Sequence, residues 1–106
     1  MNRKELNLQK RCMLYCSSLG LLCYHFEATS YQLPNGSYVN SNVPVGWPDL
    51  TIIDPKTSKV YFVELKIKPN KPSKEQLHYL SVLPNAHLCY SLDEFKALLP
   101  PKATII

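Results

Sequence analysis

The sequence predicts a mixed α/β domain, a sheet of about four strands flanked by helices in the order helix, strand, hairpin, helix, strand, helix. Three observations carry this reading. Two apolar runs flank Asp54-Pro55-Lys56-Thr57, as the arms of a hairpin flank their turn. Asn2, Ser73 and Ser91 each stand ahead of a helical segment, where a short polar side chain satisfies free backbone N–H groups. Residues 21–27 and 86–90 are short apolar runs bounded by helix stops and turn residues, which is how strands read. With 106 residues, 45% of them apolar and 19% charged, a single domain spanning 1–106 with a modest core is expected.

The first helix is expected from Asn2 to about Ser18, with Gly20 as its stop. Leu8, Cys12, Tyr15, Cys16 and Leu19 recur at helical spacing and form its inward stripe. Glu5 lies one turn before Leu8 on that stripe. It also occupies the third helical position, where it suits a capping box. His25, in the strand over 21–27, reads as a packed, hydrogen-bonded residue and not as a ligand. Residues 31–47 read as a long polar connection with a turn at Pro34-Asn35-Gly36-Ser37. Its Ser, Asn, Tyr and Trp side chains suit contact with sugar-phosphate or stacking on bases, though none is singled out. Trp47 is expected to pack beside the hairpin, and Gly46 to give the backbone room to turn.

Asp at the first turn position and Pro at the second favour a type I turn with residues 55–58 as the loop. Asp54 then faces Lys59, and the pairs continue Ile53–Val60, Thr51–Phe62 and Asp49–Glu64. Period-two alternation puts Asp49, Glu64 and Lys66 on one face, and Leu50, Ile52, Tyr61, Val63 and Leu65 on the core face. Carboxylates set directly opposite repel, and a hard divalent cation such as Mg²⁺ relieves that conflict. A solvated hairpin face with one cross-strand Lys–Glu ion pair accounts for the same trio. After a break at Pro69 and Pro72, Ser73 opens a helix to about Leu83 with Gln76 in the capping-box position. A last strand over 86–90 and a helix over 92–99 follow, closed by Pro100 and Pro101.

Net charge is +4, too mild to indicate nucleic acid by itself. Its distribution says more. Arg3, Lys4, Lys10 and Arg11 lie on the first helix, and the next cation is Lys56. Lys56, Lys59, Lys66, Lys68, Lys71 and Lys74 then fall within 19 residues, where a phosphate backbone would find its countercharge. Lys68, Lys71, Lys74, Lys10 and Arg11 are the nucleic-acid candidates. The four cysteines all lie in apolar segments and read as small hydrophobes, so no disulfide framework and no structural zinc are expected. With neither a signal-type apolar core nor a membrane-length run, a cytoplasmic protein is expected.

Pro48-Asp49 followed by Glu64-Leu65-Lys66 resembles the PD-(D/E)xK nuclease signature. Gly46 ahead of the Pro-Asp pair and Ser73-x-x-Gln76 behind it are similar to the VRR-NUC branch of that superfamily, of the free-standing phage or bacterial type. The resemblance runs from about Glu5 to Leu98. It implies a restriction-endonuclease-like core, whose strand order comes from the family and not from the pattern. It also implies a Mg²⁺- or Mn²⁺-dependent endonuclease with Asp49, Glu64, Lys66, Gln76 and Glu5 as catalytic residues. Metal ligands would be Asp49, Glu64, the Leu65 carbonyl and possible help from Glu5, since Glu5-Leu6-Asn7-Leu8-Gln9 resembles the family's N-terminal helix pattern. Lys66 would position or activate water or neutralise developing charge, and Gln76 would orient Lys66 or the water. The implied substrate is branched DNA such as a four-way (Holliday) junction, cut by a homodimer in a bacterial cell. A monomeric nickase or flap endonuclease is the alternative within this class. A non-catalytic DNA-binding module is the alternative outside it.

Overall fold

A computed structural model describes residues 2–100. Helix α1 spans Arg3–Ser18, with the Asn2 side chain accepting the Glu5 N–H at 2.8 Å and Gly20 leaving at φ +74°. Strand β1 (Leu22–His25) follows, then β2 (Ser30–Gln32), β3 (Tyr38–Asn40), β4 (Leu50–Ile53) and β5 (Val60–Leu65). Helix α2 (Lys74–Val82), strand β6 (Ala86–Cys89) and helix α3 (Leu92–Leu98) complete the described chain.

The main sheet has the order β1-β4-β5-β6, with β5 and β6 parallel and the other pairs antiparallel. The β4–β5 hairpin has the predicted register: Ile53 faces Val60, Thr51 faces Phe62, and Leu50 faces Val63. The turn is as the sequence implies. The Asp54 side chain accepts from Lys56 N at 3.0 Å, the Asp54 carbonyl accepts from Ser58 N at 2.8 Å, and Ser58 takes φ +63° to bring the chain back. A parallel β5–β6 pair requires a crossover, and α2 supplies it.

One sheet face carries Leu50, Ile52, Tyr61, Val63 and Leu65, all buried. Leu8, Cys12 and Cys16 of α1 and Phe95 of α3 complete that core, with Tyr15 edge-on to Phe95 at 6.5 Å. Trp47 and α2 cover the other face: the indole meets Phe62 at 5.6 Å and Tyr79 at 5.4 Å, both edge-on. Trp47 therefore packs beside the hairpin as expected. All four cysteines are free thiols, three of them buried.

Two expectations are corrected. Residues 31–47 are not one irregular connection, because β2 and β3 form a separate antiparallel ribbon, with Tyr31 facing Val39. Its turn closes through Leu33 N to the Ser37 carbonyl at 2.7 Å, with Gly36 at φ +89°. Strands of three residues with both faces largely exposed show no alternation to read. The strand expected over 21–27 ends at His25, where its pairing partner Leu50 begins β4.

Candidate active site

Pro48 is where the hairpin ladder gives way to the site. In an antiparallel pair, positions that exchange N–H and C=O alternate with positions that do not. Asp54 N donates to the Lys59 carbonyl at 2.9 Å, so 54/59 sits in the hydrogen-bonded phase of the ladder. With the observed register, the next such pairs are 52/61, 50/63 and 48/65. Proline has no N–H to give Leu65. The Leu65 N–H instead donates to Asp49 Oδ2 at 2.8 Å, and the Leu65 carbonyl is left without its ladder donor. That carbonyl leaves the strand by the same edge as its N–H, beside Asp49.

Glu64 is the centre of the site. It is 1% exposed, one of the largest fully buried side chains. One carboxyl oxygen, Oε1, accepts from Gln76 Nε2 at 2.9 Å, while Oε2 is buried with no partner. Burial pushes its pKa up to about 9, and the Asp49 carboxyl adds to the rise, as does Glu5 more weakly. Lys66 acts in the opposite direction, but no ion pair within 4.0 Å joins it to either acid among the described residues. The cross-strand Lys–Glu ion pair that would have explained the trio structurally is thus not formed.

A cavity of about 280 Å³ opens over these groups. Its walls include Glu5, Glu27, Asp49 and Glu64, four of the chain's eight acids, together with Leu65, Lys66 and Gln76. Glu5 is 8% exposed: Asn2 caps its backbone N–H, while its carboxyl lines this cavity. Gln76 does two things. Its Oε1 accepts from Ser73 N at 2.7 Å, closing the capping box of α2, and its Nε2 holds Glu64. The amide thus reaches the Glu64 carboxyl, because the cap fixes which way it faces.

Gly46 brings α2 to this place. It sits at φ +91°, and a Cβ there would lie 2.6 Å from the Glu75 backbone carbon. Its role is close approach to the first turn of α2, beyond the room to turn that the sequence suggests.

Of the basic candidates, Arg11 and Lys68 converge. Lys68 Nζ lies 5.6 Å from the Tyr90 ring centre, and Arg11 shares a shallow groove with Tyr90 and Lys4. Lys74 lies elsewhere, on the first turn of α2 beside Val45 and His78. Lys10 and Lys71 are exposed.

Three further residues border the site, and His25 is hydrogen-bonded as expected. His25 Nδ1 lies 2.9 Å from the Asp49 carbonyl oxygen and anchors that residue's backbone; Glu27 joins the cavity wall. Gln9 is buried one turn below Glu5 with Oε1 unpaired. Only its helical offset from Glu5 could have pointed to it. His25 and Glu27 depend on the β1–β4 pairing, which leaves no local mark.

The donor set suits a divalent cation. A buried carboxylate oxygen lacks a partner, a second acid adjoins it, and a strand carbonyl has lost its donor, all oxygen ligands of the hard kind. Among the described residues, however, no three His, Cys, Asp or Glu side chains form a ready-made metal cage. Any ion held here would rely on the Leu65 carbonyl and water as well.

No protein-family model matches the chain, and no curated protein matches it. A solved structure titled "VRR_NUC domain" is similar, with a TM-score of 0.63 and 24% identity over 92% of this chain and 95% of that one. The chain therefore has the fold of a VRR_NUC domain. Among the described residues no helix is long and apolar enough to cross a membrane.

Proposed function

We propose that the protein is a divalent-metal-dependent DNA endonuclease that hydrolyses phosphodiester bonds in branched DNA such as a four-way junction, acting as a homodimer. The observation that carries the reading is Glu64: a fully buried carboxyl with one unpartnered oxygen, set against Asp49 in a cavity that collects half of the chain's acids. A folded protein leaves such a group unsatisfied at considerable cost unless a ligand completes it.

Asp49, Glu64 and the Leu65 carbonyl would hold Mg²⁺ or Mn²⁺, with Glu5 beside them. Bound there, the ion lowers the pKa of water and offsets charge on the phosphate. The Leu65 N–H and the His25 ring fix Asp49, and Gln76 fixes Glu64, so neither acid has to be ordered when substrate arrives. Lys66, half-buried on the cavity wall, presents an ammonium group to the phosphate oxygens or to the attacking water. Hydrolysis adds water across the P–O bond, leaving a 5′-phosphate and a 3′-hydroxyl.

The test is a panel of four-way junction, flap, splayed arm, duplex and single strand with Mg²⁺ or Mn²⁺. Asp49→Ala and Lys66→Ala are each expected to lower cutting at least 100-fold while keeping the fold. Equal cutting by both variants overturns the assignment. Sedimentation decides dimer against monomer. The incomplete acidic cage favours one rival, a DNA-binding module that does not cut. That rival predicts no Mn²⁺ heat dependent on Asp49 and Glu64 in isothermal titration.

A further inference from the structure

Beside the acidic cavity lies a second one, of about 440 Å³, walled by Phe26, Asn42, Val43, Pro44, Trp47 and Thr51. It shares Phe26 and Trp47 with the first. We infer that this apolar cavity receives an unstacked nucleobase of the strand being cut, from a nucleotide flanking the scissile phosphate. The inference rests on the nuclease reading of the acidic cavity and adds how the substrate is seated there.

Four observations point to a base. The first is position. Thr51 and Asp49 are two residues apart on one sheet face, about 7 Å along the strand. That is one or two nucleotide steps, at 3.4 Å per phosphate in a stacked strand and more in an extended one. The second is surface chemistry. Phe26 is 41% exposed and stacks on Tyr24, which is 47% exposed, with ring centres 6.2 Å apart. Trp47 is immobilised by its edge contacts with Phe62 and Tyr79, which makes it a rigid wall. Aromatic faces of this kind stack on any base. The third is charge. None of the six wall residues is charged, and no Lys or Arg occurs between Arg11 and Lys56. Such a surface offers phosphate nothing, whereas the grooves holding Arg11 and Lys68 lie with Lys4 and Ile67, by α1 and the end of β5. The fourth is a polar group on the wall: the exposed Asn42 amide offers polar contacts to a base edge. The division of labour follows: backbone on the basic side, bases on the aromatic side, and the scissile phosphate between them.

Trp47 is the chain's single tryptophan, so the cavity carries its own reporter. The experiment titrates the protein, in chelator so that nothing is cut, with a single-stranded oligothymidylate of about 12 nucleotides and with a blunt duplex of equal length. It compares wild type with Phe26→Ala, a change at an exposed position that should leave the fold intact. Quenching of Trp47 by the single strand is expected, with affinity about tenfold lower in Phe26→Ala. Duplex affinity should be unchanged. Single-strand binding that leaves Trp47 emission and Phe26→Ala affinity unaltered overturns the base cavity while leaving the nuclease reading standing. Binding of neither nucleic acid by wild type overturns both. If Phe26→Ala instead converts a dimer to a monomer with unchanged single-strand affinity, the patch is a subunit interface and the inference fails.

Discussion

At the scale of single residues, Glu64 and Pro48 decide the behaviour of the site. Glu64 in the folded protein holds its proton up to about 9, against 4.5 when free. Below 4.5 both states are protonated and Glu64 is neutral towards stability. Between 4.5 and 9 the unfolded chain ionises while the folded one does not, so the unfolded state gains ground as pH rises. Metal-free protein is thus expected to lose stability as pH rises through this window, by at most about 1.4 kcal/mol per pH unit from this group. Mn²⁺ should flatten or reverse the slope, because an ion favours the ionised carboxylate. Urea unfolding at about pH 5, 7 and 9, with chelator and with Mn²⁺, measures it; a chelated protein most stable at the alkaline end contradicts it. Pro48→Ala supplies the N–H that the ladder lacks, so the Leu65 carbonyl gains a backbone partner. Several-fold weaker Mn²⁺ binding is the expected result by calorimetry, with binding as tight as wild type counting against the role given to Pro48. The placing of Asp49, Glu64 and Lys66 together was legible, since it needs only period-two alternation across one tight turn. The double use of Gln76 was half legible: its cap follows from Ser73-x-x-Gln76, but its bond to Glu64 depends on how α2 crosses the sheet.

At the scale of elements, the hairpin and three helices were readable because each is specified within a few residues. Asp54-Pro55 sets the turn, and Asn2, Ser73 and Ser91 set the helix starts, each accepting the N–H three residues on. The β2–β3 ribbon was not readable, because its strands are short, exposed and paired to each other without a buried face. The join between Gly46 and α2 was equally hidden, being a contact between segments 29 residues apart in sequence. It makes a strong prediction. Gly46→Ala must adopt φ near +91° and place a methyl 2.6 Å from the Glu75 backbone, so something must shift. A left-handed non-glycine residue costs about 1–2 kcal/mol and overpacking about 1–3 more, so a loss of about 2–5 kcal/mol is expected in denaturant unfolding. Cutting should fall further than stability alone explains, because the displaced helix carries Gln76. A change under about 0.5 kcal/mol would show that the approach is not constraining.

At the scale of the whole molecule, net charge says little and its partition says much. Glu5, Glu27, Asp49 and Glu64 share one cavity with Lys66, leaving eleven cations and only four acids elsewhere in the chain. Attraction of the remaining surface for a polyanion releases counterions, so binding should weaken steeply with salt. Fluorescence anisotropy of labelled junction DNA, from about 50 to 200 mM salt in chelator, is expected to show a loss of tenfold or more; a flat profile would remove the basic surface from the account. The partition was visible as a run of lysines in the sequence, but not the gathering of acids, which needs α1, β1 and the hairpin to meet. The gathering has one more consequence. If the protein cuts DNA as proposed, a cavity dense in carboxylates turns away the phosphate to be broken, while the rest of the surface draws the strand in. On the proposed reading the molecule would be interlocked: it would hold nucleic acid in safety and cut only once a cation had cancelled the repulsion at the cavity's centre.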